Sequence, residues 1–291
     1  MPHLRGTEIR VRAHGRLREP DVHVVVCVKM VPDTTQVRID PTTNTLVREG
    51  IPFITNPFDD HAVEEALHIK DVYGAKVTVV SMGPPAAEAV IRKAVSQGAD
   101  GGILLSDRAF GGADTLATSK VLAYAISEMS KEDPVDLILC GKQTIDGDTA
   151  QVGPGIATRL GYTQLTLVDK VLTLDAAGKK IVVRRKTDEQ HEIIEARLPA
   201  LLTIVREANK PRYPTVPRRI YAEEINIPVW NNYFLKLQPE DIGLRGSPTW
   251  VQRIFAPERK MGDVVSAEEE GNSFAVDAIM TRLDQWKIIG T

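Results

Sequence analysis

Residues 141–154, GKQTIDGDTAQVGP, concentrate side chains and glycines that are suited to binding a ligand. They comprise one lysine, two aspartates, two glutamines, three glycines and several small residues, directly after the apolar run Val135–Cys140. Such a run is typical of a buried strand, and in open parallel sheets ligands bind beyond the carboxyl ends of the strands. The free N–H groups and the dipole of a following helix favour phosphate oxygens. The segment is therefore a candidate binding site for an adenine nucleotide.

Individual residues of this segment have specific expected roles. Gly141 lets the main chain approach a ligand closely, and Lys142 adds a positive charge. Asp148 and Gln151 have the spacing of a capping box. Pro154 must lie in the first turn of the following helix, because the ring would bend the helix at a later position. The alternative is an ordinary capped turn between a strand and a helix, with its charges in solvent.

Other patterns that would indicate a specific chemistry are weak or missing. No GxGxxG follows the first apolar run, and the GK at 141–142 lacks the flanking residues of a P-loop. His61 and His68 have no carboxylates in a metal-binding pattern, so we predict a solvated helix face and no metal site. Glu64 and Glu65 are predicted to be surface charges. No motif for hydrolysis is present.

The elements that must position the segment alternate between strands and helices. Val22–Val28 is β-branched and apolar, which predicts a central strand buried on both faces. A loop and a short hairpin are predicted over residues 31–50. Further strands are predicted at residues 75–83, 101–106 and 135–140, and helices at 59–73, 84–97, 115–131 with Asp114 as N-cap, and within 147–160. This alternation predicts an α/β fold with a doubly wound, mostly parallel sheet.

The pattern changes after about residue 165. Residues 165–205 alternate with period two around a turn at Gly178, which predicts strands, some of them an antiparallel extension of the sheet. Arg206–Arg219 contains three prolines and several cations, so we predict an exposed loop there. The chain beyond Tyr221 shows little periodicity until Ala275–Gln285, as expected of a C-terminal arm that packs on something else.

Composition excludes several functional classes. The chain has 291 residues, 43% apolar and 26% charged, as in soluble globular proteins, and its net charge of −3 disfavours nucleic acid as a main partner. The two cysteines, Cys27 and Cys140, lie in apolar runs and fit a reducing cytoplasm. No apolar stretch approaches the roughly 18 residues of a membrane span. Residues 1–20 carry five arginines without an apolar core or a serine, so we expect a disordered extension or an upstream start codon.

Several segments, taken in order, resemble the β subunit of electron transfer flavoprotein, of the FixA type. They are CVKMVPDT at 27–34, TNPFDDHAVEEALHIKD at 55–71, VSMGP at 80–84, GKQTIDGDTAQVG at 141–153 and NKPRYPTVP at 209–217. The resemblance runs from about Val22 to beyond Lys260. It implies an adenine-nucleotide α-hydrolase-like domain that pairs with an α subunit carrying FAD. In simple members the β subunit holds AMP as a structural ligand.

The resemblance also implies which residues contact the cofactor. Cys27 and Met82 would contribute mainly main-chain atoms. The implied contacts are Cys27, Asn56, Pro57, Phe58, Asp59, Met82, Asp114, Thr115, Thr118, Gly141, Lys142, Gln143, Thr144, Ile145, Asp146, Gly147, Asp148, Thr149, Ala150, Gln151, Val152 and Gly153.

Three segments resemble the electron-bifurcating branch of the family, in which the β subunit binds a whole FAD in place of AMP. They are GDTAQVGP at 147–154, SDRAFGGADTLATS at 106–119 and GLRGSPTWVQRIFAPERK at 243–260. Val152 and Gly153 would leave room where a diphosphate continues toward the flavin. The resemblance places Asp114, Thr115 and Thr118 near the ring side.

The function implied by this resemblance is flavin-based electron bifurcation. NADH would pass hydride to the FAD of the β subunit. One electron would then go through the α subunit to an acyl-CoA-type or related dehydrogenase, and the other to ferredoxin or flavodoxin. Two alternatives stay open: a simple electron carrier whose β subunit holds AMP, and a stand-alone nucleotide-binding or nucleotide-hydrolysing enzyme on the same fold.

The resemblance implies a domain organisation and a docking segment. Residues 21–205 would form the cofactor-binding domain, residues 206–222 a partner recognition loop, and residues 223–291 an arm packing on the α subunit. Val216 stands where the family anchors an apolar side chain in the dehydrogenase. The residues expected at that contact are Pro211, Arg212, Tyr213, Val216 and Pro217.

Overall fold

The structure is a computed structural model that describes residues 22–33, 38–39, 46–47, 52–250, 264–266, 268 and 271–289. The predicted extension at 1–20 and the whole segment 251–263 lie outside these residues. The chain divides into two compact units, Met1–Gln252 and Arg253–Thr291. No helix in the described part of the chain is long and apolar enough to cross a membrane.

The first unit is built around a nine-stranded, mostly parallel sheet with an antiparallel extension at one edge, as predicted. Its strands, in spatial order, are β11 (His191–Arg197), β10 (Lys180–Lys186), β9 (Thr163–Asp175), β12 (Ala200–Ile204), β8 (Leu137–Gly141), β1 (His23–Val28), β6 (Lys76–Met82), β7 (Gly101–Leu105) and β13 (Val229–Trp230). The pairs β9–β10 and β10–β11 are antiparallel, and the other pairs are parallel.

Short strands and helices complete the described chain. The predicted hairpin is present, since Arg38–Ile39 pairs antiparallel with Leu46–Val47. The short strands are β2 (Met30–Pro32), β3 (Arg38–Ile39), β4 (Leu46–Val47) and β5 (Phe53–Thr55). The helices are α1 (Pro57–Tyr73), α2 (Glu88–Gln97), α3 (Thr115–Glu132), α4 (Val152–Leu160), α5 (Val216–Glu224), α6 (Asn232–Leu235) and α7 (Asn272–Gln285), the last in the second unit.

The sheet is doubly wound, with helices on both faces. Each face therefore buries a hydrophobic core of its own. Successive side chains of a strand point to opposite faces. Val24 and Val26 of β1 accordingly join the core that contains α1 and α2, whereas Val25 and Cys27 join the core that contains α3 and α4. The predicted burial of β1 on both faces is confirmed, since each of its six residues is buried.

The strand order determines where a binding site can form. From β1 the chain runs through α1 to β6 and then to β7 on one side, and through α3 it returns to β8 on the other side of β1. Cys27 of β1 and Cys140 of β8 are in register at this reversal. In doubly wound sheets the loops diverge at such a point and leave a crevice.

Candidate functional site

A cleft of about 1030 Å³ opens at the carboxyl edge of the sheet, where the strand order reverses between β1 and β8. Residues at and after the ends of β1, β6, β7 and β8 line it, together with the beginnings of α3 and α4. The fold thus brings one surface together from segments more than a hundred residues apart in sequence. It lies where the sequence predicted a ligand site.

Most of the predicted cofactor residues line this cleft. They are Cys27, Asp59, Met82, Asp114, Thr115, Thr118, Gly141, Lys142, Gln143, Thr144, Gly147, Thr149, Ala150, Gln151, Val152 and Gly153. Six others lie behind or beside its wall: Asn56, Pro57, Phe58, Ile145, Asp146 and Asp148. Direct contact with a cofactor remains a prediction for all of them.

Asn56 holds the cleft loop in place from behind. Its side chain is fully buried, and Nδ2 donates hydrogen bonds to Asp59 Oδ1 at 2.9 Å and to the Gln143 carbonyl at 2.8 Å. Its Oδ1 accepts a hydrogen bond from the Ile145 N–H at 3.2 Å. One asparagine therefore fixes both ends of the turn 143–145, a role that needs no contact with a ligand.

Asp59 ties the ends of two neighbouring strands together. Its carboxylate accepts hydrogen bonds from the N–H of Lys29 at 2.8 Å and from the N–H of Gly141 at 3.2 Å. Burial raises the pKa of Asp59 to about 7, although these donors and Asn56 pull it down. Near neutral pH this carboxyl therefore exchanges a proton at the floor of the cleft.

Lys29 is a cleft residue that the sequence did not single out. Its Nζ lies 2.7 and 2.9 Å from the two carboxylate oxygens of Asp146, and this pair joins the chain after β1 to the loop after β8. The salt bridge lowers the pKa of Asp146, although partial burial opposes it. The sequence did carry a signal for Lys29, which directly follows the first buried strand. The carboxyl ends of parallel strands lie along one edge of the sheet, so residues after them gather there.

The loop before α4 differs from the predicted capping box. The helix begins at Val152, several residues later than Gly147, and Gln151 makes no side-chain capping bond. Asp148 accepts from the Gln143 side chain at 2.7 Å, whereas Gln151 Oε1 accepts from the Thr115 hydroxyl at 2.8 Å. Asp148 also has a left-handed backbone with φ of 52°, which a helical turn excludes. Pro154 does lie in the first turn, as predicted.

This loop presents unused hydrogen-bond donors to the cleft. Within the described part of the chain, none of the N–H groups of residues 149–153 donates to a protein acceptor. These residues line the cleft and lead into α4, whose dipole is positive at this end. Donors of this kind fit the oxygens of a phosphate or diphosphate. The arrangement therefore fits the phosphate portion of a nucleotide cofactor.

Two glycines of this segment, Gly141 and Gly153, are required for close packing. A Cβ at Gly141 would lie 2.6 Å from Phe58 Cβ, so this glycine lets α1 pack against the end of β8. A Cβ at Gly153 would lie 2.9 Å from Thr203 Cγ2 and 3.4 Å from Leu201 Cδ2, toward the sheet. Close packing of α4 on β12 thus gives a second reason for a small residue at Gly153, and the room for a diphosphate stays a prediction.

The opposite wall comes from the segments after β6 and β7. Asp114 is the N-cap of α3, as predicted, and its Oδ1 accepts from the N–H groups of Leu116 and Ala117 at 2.9 and 3.0 Å. Its Oδ2 accepts from the Thr249 hydroxyl at 2.7 Å. These bonds lower the pKa of Asp114, although desolvation opposes them. The carboxylate is therefore committed to structure, while Thr115 and Thr118 line the cleft.

The cleft-lining residues that the site prediction omitted cluster in the same two segments. They are residues 83–85, 106–108 and 110–113, with Val28, Lys29, Leu122 and Cys140. The sequence carried a signal for the second of these segments. GGAD at 111–114 lies between a buried strand and a helix, as GDTAQ at 147–151 does. In the described residues no cluster of His, Cys, Asp and Glu is arranged to hold a metal ion.

The two cysteines lie side by side on the cleft floor. Cys27 and Cys140 are in register on adjacent strands, and both are buried. A hydrogen bond to Cys27, together with burial, raises the pKa of the Cys140 thiol well above its ordinary value. The Cys140 thiol is therefore protonated at neutral pH, and the two buried side chains contribute an apolar floor.

The predicted docking segment is partly helical and only partly exposed. The expected loop ends at Thr215, because α5 begins at Val216. Tyr213 is 95% exposed and Val216 71% exposed, whereas the Arg212 guanidinium turns inward onto Glu64. The prediction that Glu64 and Glu65 are surface charges is wrong, since both are about 95% buried beneath this segment.

Comparison with known proteins agrees with this geometry. Residues 43–231 match the model of the electron transfer flavoprotein domain. The chain is 45% identical to Protein FixA of Azotobacter vinelandii, over 90% of this chain and 94% of that protein. It is 44% identical to the electron transfer flavoprotein subunit beta of Megasphaera elsdenii, over 92% and 100% of the two chains. It is 46% identical, with the same coverage, to subunit CarD of the caffeyl-CoA reductase–Etf complex of Acetobacterium woodii.

These matches cover most of the chain and include the segments that form the cleft. Beta subunits of this family pair with α subunits. The chain belongs to the electron transfer flavoprotein family, as a β subunit of the FixA type.

Proposed function

We propose that this β subunit binds FAD in the cleft between β1 and β8 and takes part in flavin-based electron bifurcation with NADH as donor. The observation that carries the proposal is the extent of the cleft. Its volume of about 1030 Å³ lies at the upper end of the range for ligand pockets, roughly 300–1,000 Å³. AMP alone would leave much of this space unfilled.

The shape of the cleft supports a dinucleotide over a mononucleotide. One end is formed by the loop that Asn56 and Asp59 hold, and the other by residues 107–114 after β7. Residues 149–153, whose N–H groups have no acceptor in the described part of the chain, line the cleft and would bind the diphosphate. An FAD would reach from these donors to the lining residues after β7, whereas an AMP would leave that part of the cleft unused.

Apolar side chains of the cleft would shield the bound group from water. Met82, Pro84, Phe110 and Leu122 are among the residues that line it. When bound, FAD supplies the capacity to accept hydride from NADH and to release electrons singly to two acceptors. The chain would therefore contribute binding, orientation and exclusion of water rather than acid–base groups, which agrees with the absence of a hydrolytic motif from the sequence.

The proposed electron acceptors are an acyl-CoA-type or related dehydrogenase, reached through the α subunit, and ferredoxin or flavodoxin. The relative from Acetobacterium woodii is named as a subunit of a complex with caffeyl-CoA reductase, which supports an acyl-CoA-type partner. We propose that residues 206–222 dock that partner through the exposed Tyr213 and Val216. The arm at 223–291 would pack on the α subunit.

The main alternative is a non-bifurcating carrier whose β subunit holds AMP as a structural ligand. The same donors at residues 149–153 would then bind one phosphate. A stand-alone nucleotide-hydrolysing enzyme is not supported, because the chain belongs to a family of paired flavoprotein subunits.

Counting the nucleotides released from the complex tests the proposal. The αβ complex is purified and denatured, and FAD and AMP are separated and measured against protein. Two FAD and no AMP per heterodimer is the expected result, together with NADH oxidation that requires both acceptors. One FAD and one AMP per heterodimer would contradict the proposal and support the alternative.

A further inference from the structure

The segment that precedes the exposed docking residues is held on α1 by a buried carboxylate. Glu64 is 4% exposed, and its two oxygens lie 2.9 to 3.1 Å from the Nε and Nη2 atoms of Arg212. The main-chain N–H of Arg212 also donates to Glu64 Oε2 at 2.9 Å. The Nη2 atom donates to Asp71 Oδ2 at 2.8 Å as well. Side chain and main chain of Arg212 are thus fixed together.

The other end of the same segment is held by a second set of contacts with α1. The Asn209 side chain donates to the His61 carbonyl and to Glu65 Oε2, each at 3.0 Å. The Gln97 side chain of α2 donates to the Arg212 carbonyl at 3.1 Å. We call Asn209–Arg212, with these contacts to α1 and α2, the clamp. It is tied at both ends although it contains no regular secondary structure.

The residue that directly follows the clamp is strongly exposed to solvent. Tyr213, the next residue, is the most exposed of the large apolar side chains in the described chain. Ordering a segment on binding costs conformational entropy, so a segment that is already fixed binds a partner more tightly. A buried Arg–carboxylate pair is suited to this task, because two parallel hydrogen bonds fix the orientation of the guanidinium as well as its position.

We propose that Glu64, acting through Arg212, is a positioning residue that presents Tyr213 and Val216 to the dehydrogenase. The proposal rests on the proposed docking role of residues 206–222. It changes the role expected for Arg212, whose guanidinium is occupied by Glu64 and Asp71 and is not the contacting group. The partner contact is then left to the exposed apolar side chains.

The first measurement requires no partner. Hydrogen exchange of residues 209–216 is followed in the intact αβ complex carrying wild-type β subunit, Glu64→Gln or Asp71→Asn. Glu64→Gln is expected to speed exchange of the Arg212 amide about tenfold or more, since the bidentate pair is lost. Asp71 is 56% exposed, so Asp71→Asn leaves the core intact and is expected to give a smaller change in the same direction.

A matched control is available in the antiparallel extension. Asp169 is 5% exposed and pairs with Arg184 through Nε and Nη2, as Glu64 pairs with Arg212. Asp169→Asn therefore removes a pair of the same type without touching the clamp, and exchange at residues 209–216 should not change. Unchanged exchange in both Glu64→Gln and Asp71→Asn would overturn the proposal.

The second measurement separates positioning from a purely structural role. With NADH as donor and ferredoxin present in excess as the second acceptor, an acyl-CoA dehydrogenase is titrated into each complex, and reduction of a small tetrazolium dye is measured in parallel. Glu64→Gln is expected to raise KM for the dehydrogenase about tenfold while dye reduction and FAD content stay at wild-type values. Glu64→Asp keeps the charge, and its KM for the dehydrogenase should lie between those of wild type and Glu64→Gln.

The outcomes distinguish the positioning role from the proposed function itself. Increased exchange with an unchanged KM would show that the clamp orders the segment but does not serve docking, and it would overturn the proposal. A wild-type complex that reduces the dye but not the dehydrogenase would instead refute the docking partner, and with it the positioning role. A KM increase in Asp169→Asn as large as that in Glu64→Gln would also overturn the proposal.

Discussion

Asp59 Oδ1 lies 3.2 Å from the main-chain N of Gly141, which joins the first turn of α1 to the end of β8 across 82 residues of sequence. The same carboxylate accepts the N–H of Lys29 after β1. The Asp59 side chain thus connects the ends of β1 and β8, between which the strand order reverses. The cleft floor depends on this bond, because both strand ends would otherwise leave buried donors without acceptors.

The pKa of Asp59 gives stability a pH dependence that can be measured. Because burial raises this pKa from 3.8 to about 7, its ionisation costs the folded state more than the unfolded state. The protonated Asp59 carboxyl therefore contributes to the free energy of unfolding. This contribution is fully present below about pH 4 and is lost as the pH rises through about 7. We expect Asp59→Asn to remove this part of the slope in urea unfolding between pH 4 and 8. An identical slope in wild type and variant would contradict the pKa assignment.

His23 gives a pH dependence of the opposite sign. Burial lowers its pKa from the ordinary 6.5, although Asp133 and Asp136 pull it up, and the ring lies 2.9 Å from the Thr78 hydroxyl. The folded state therefore binds a proton less readily than the unfolded state, and stability falls as the pH drops below about 6.5. His23→Gln should flatten unfolding free energies over pH 5 to 6.5, measured by urea titration. If the unfolding free energies of wild type and His23→Gln change in parallel over pH 5 to 6.5, the prediction is wrong.

Asn56→Ala should release the cleft loop. It deletes hydrogen bonds to Asp59, Gln143 and Ile145, and the unpaired buried groups should cost about 2–4 kcal/mol. We expect lower nucleotide content and faster hydrogen exchange at residues 141–151. Asn232→Ala, which removes two bonds to Leu237, is the control and should leave nucleotide content unchanged. Equal nucleotide loss in both variants would mean that the effect is general destabilisation.

Gly153→Ala tests whether this position serves packing or ligand space. The new Cβ would meet Thr203 Cγ2 at 2.9 Å, and such overpacking costs about 1–3 kcal/mol. Thr203→Ser removes that methyl group and keeps the hydroxyl that accepts from Leu167 N–H. The double variant should therefore recover part of the lost stability and nucleotide content. If Thr203→Ser rescues neither, the glycine is needed for space in the cleft.

The predictions that depended on local periodicity were largely correct. The strand at Val22–Val28 and the helix that begins at Thr115 with Asp114 as N-cap appear within one residue of their predicted bounds. A buried parallel strand needs an apolar run, and an N-cap needs a short acceptor side chain before the helix. Both requirements concern neighbours in the chain. The position of the cleft followed from them, because parallel strands share one carboxyl edge.

Predictions about single side chains failed where the hydrogen-bond partner of the side chain lies far away in the sequence. Asp148 and Gln151 have the spacing of a capping box, but they bond to Gln143 and Thr115 instead. Glu64 and Glu65 look like solvated helix charges until Arg212 and Asn209, more than 140 residues later, cover them. A carboxylate is buried only when a partner offsets its desolvation, and sequence spacing does not show that partner.

The sequence alone determined the alternation of strands and helices, the mostly parallel sheet and the edge at which ligand-binding groups gather. These features depend on hydrophobic period and short-range capping, which act over a few residues. Only the tertiary structure decided which groups stay available for binding. Asn56 and Asp59 fix the strand ends and the cleft loop, while the N–H groups of 149–153 have no acceptor among the described residues. That division depends on contacts between segments brought together by the strand order, because each buried hydrogen-bonding group must find a partner in space.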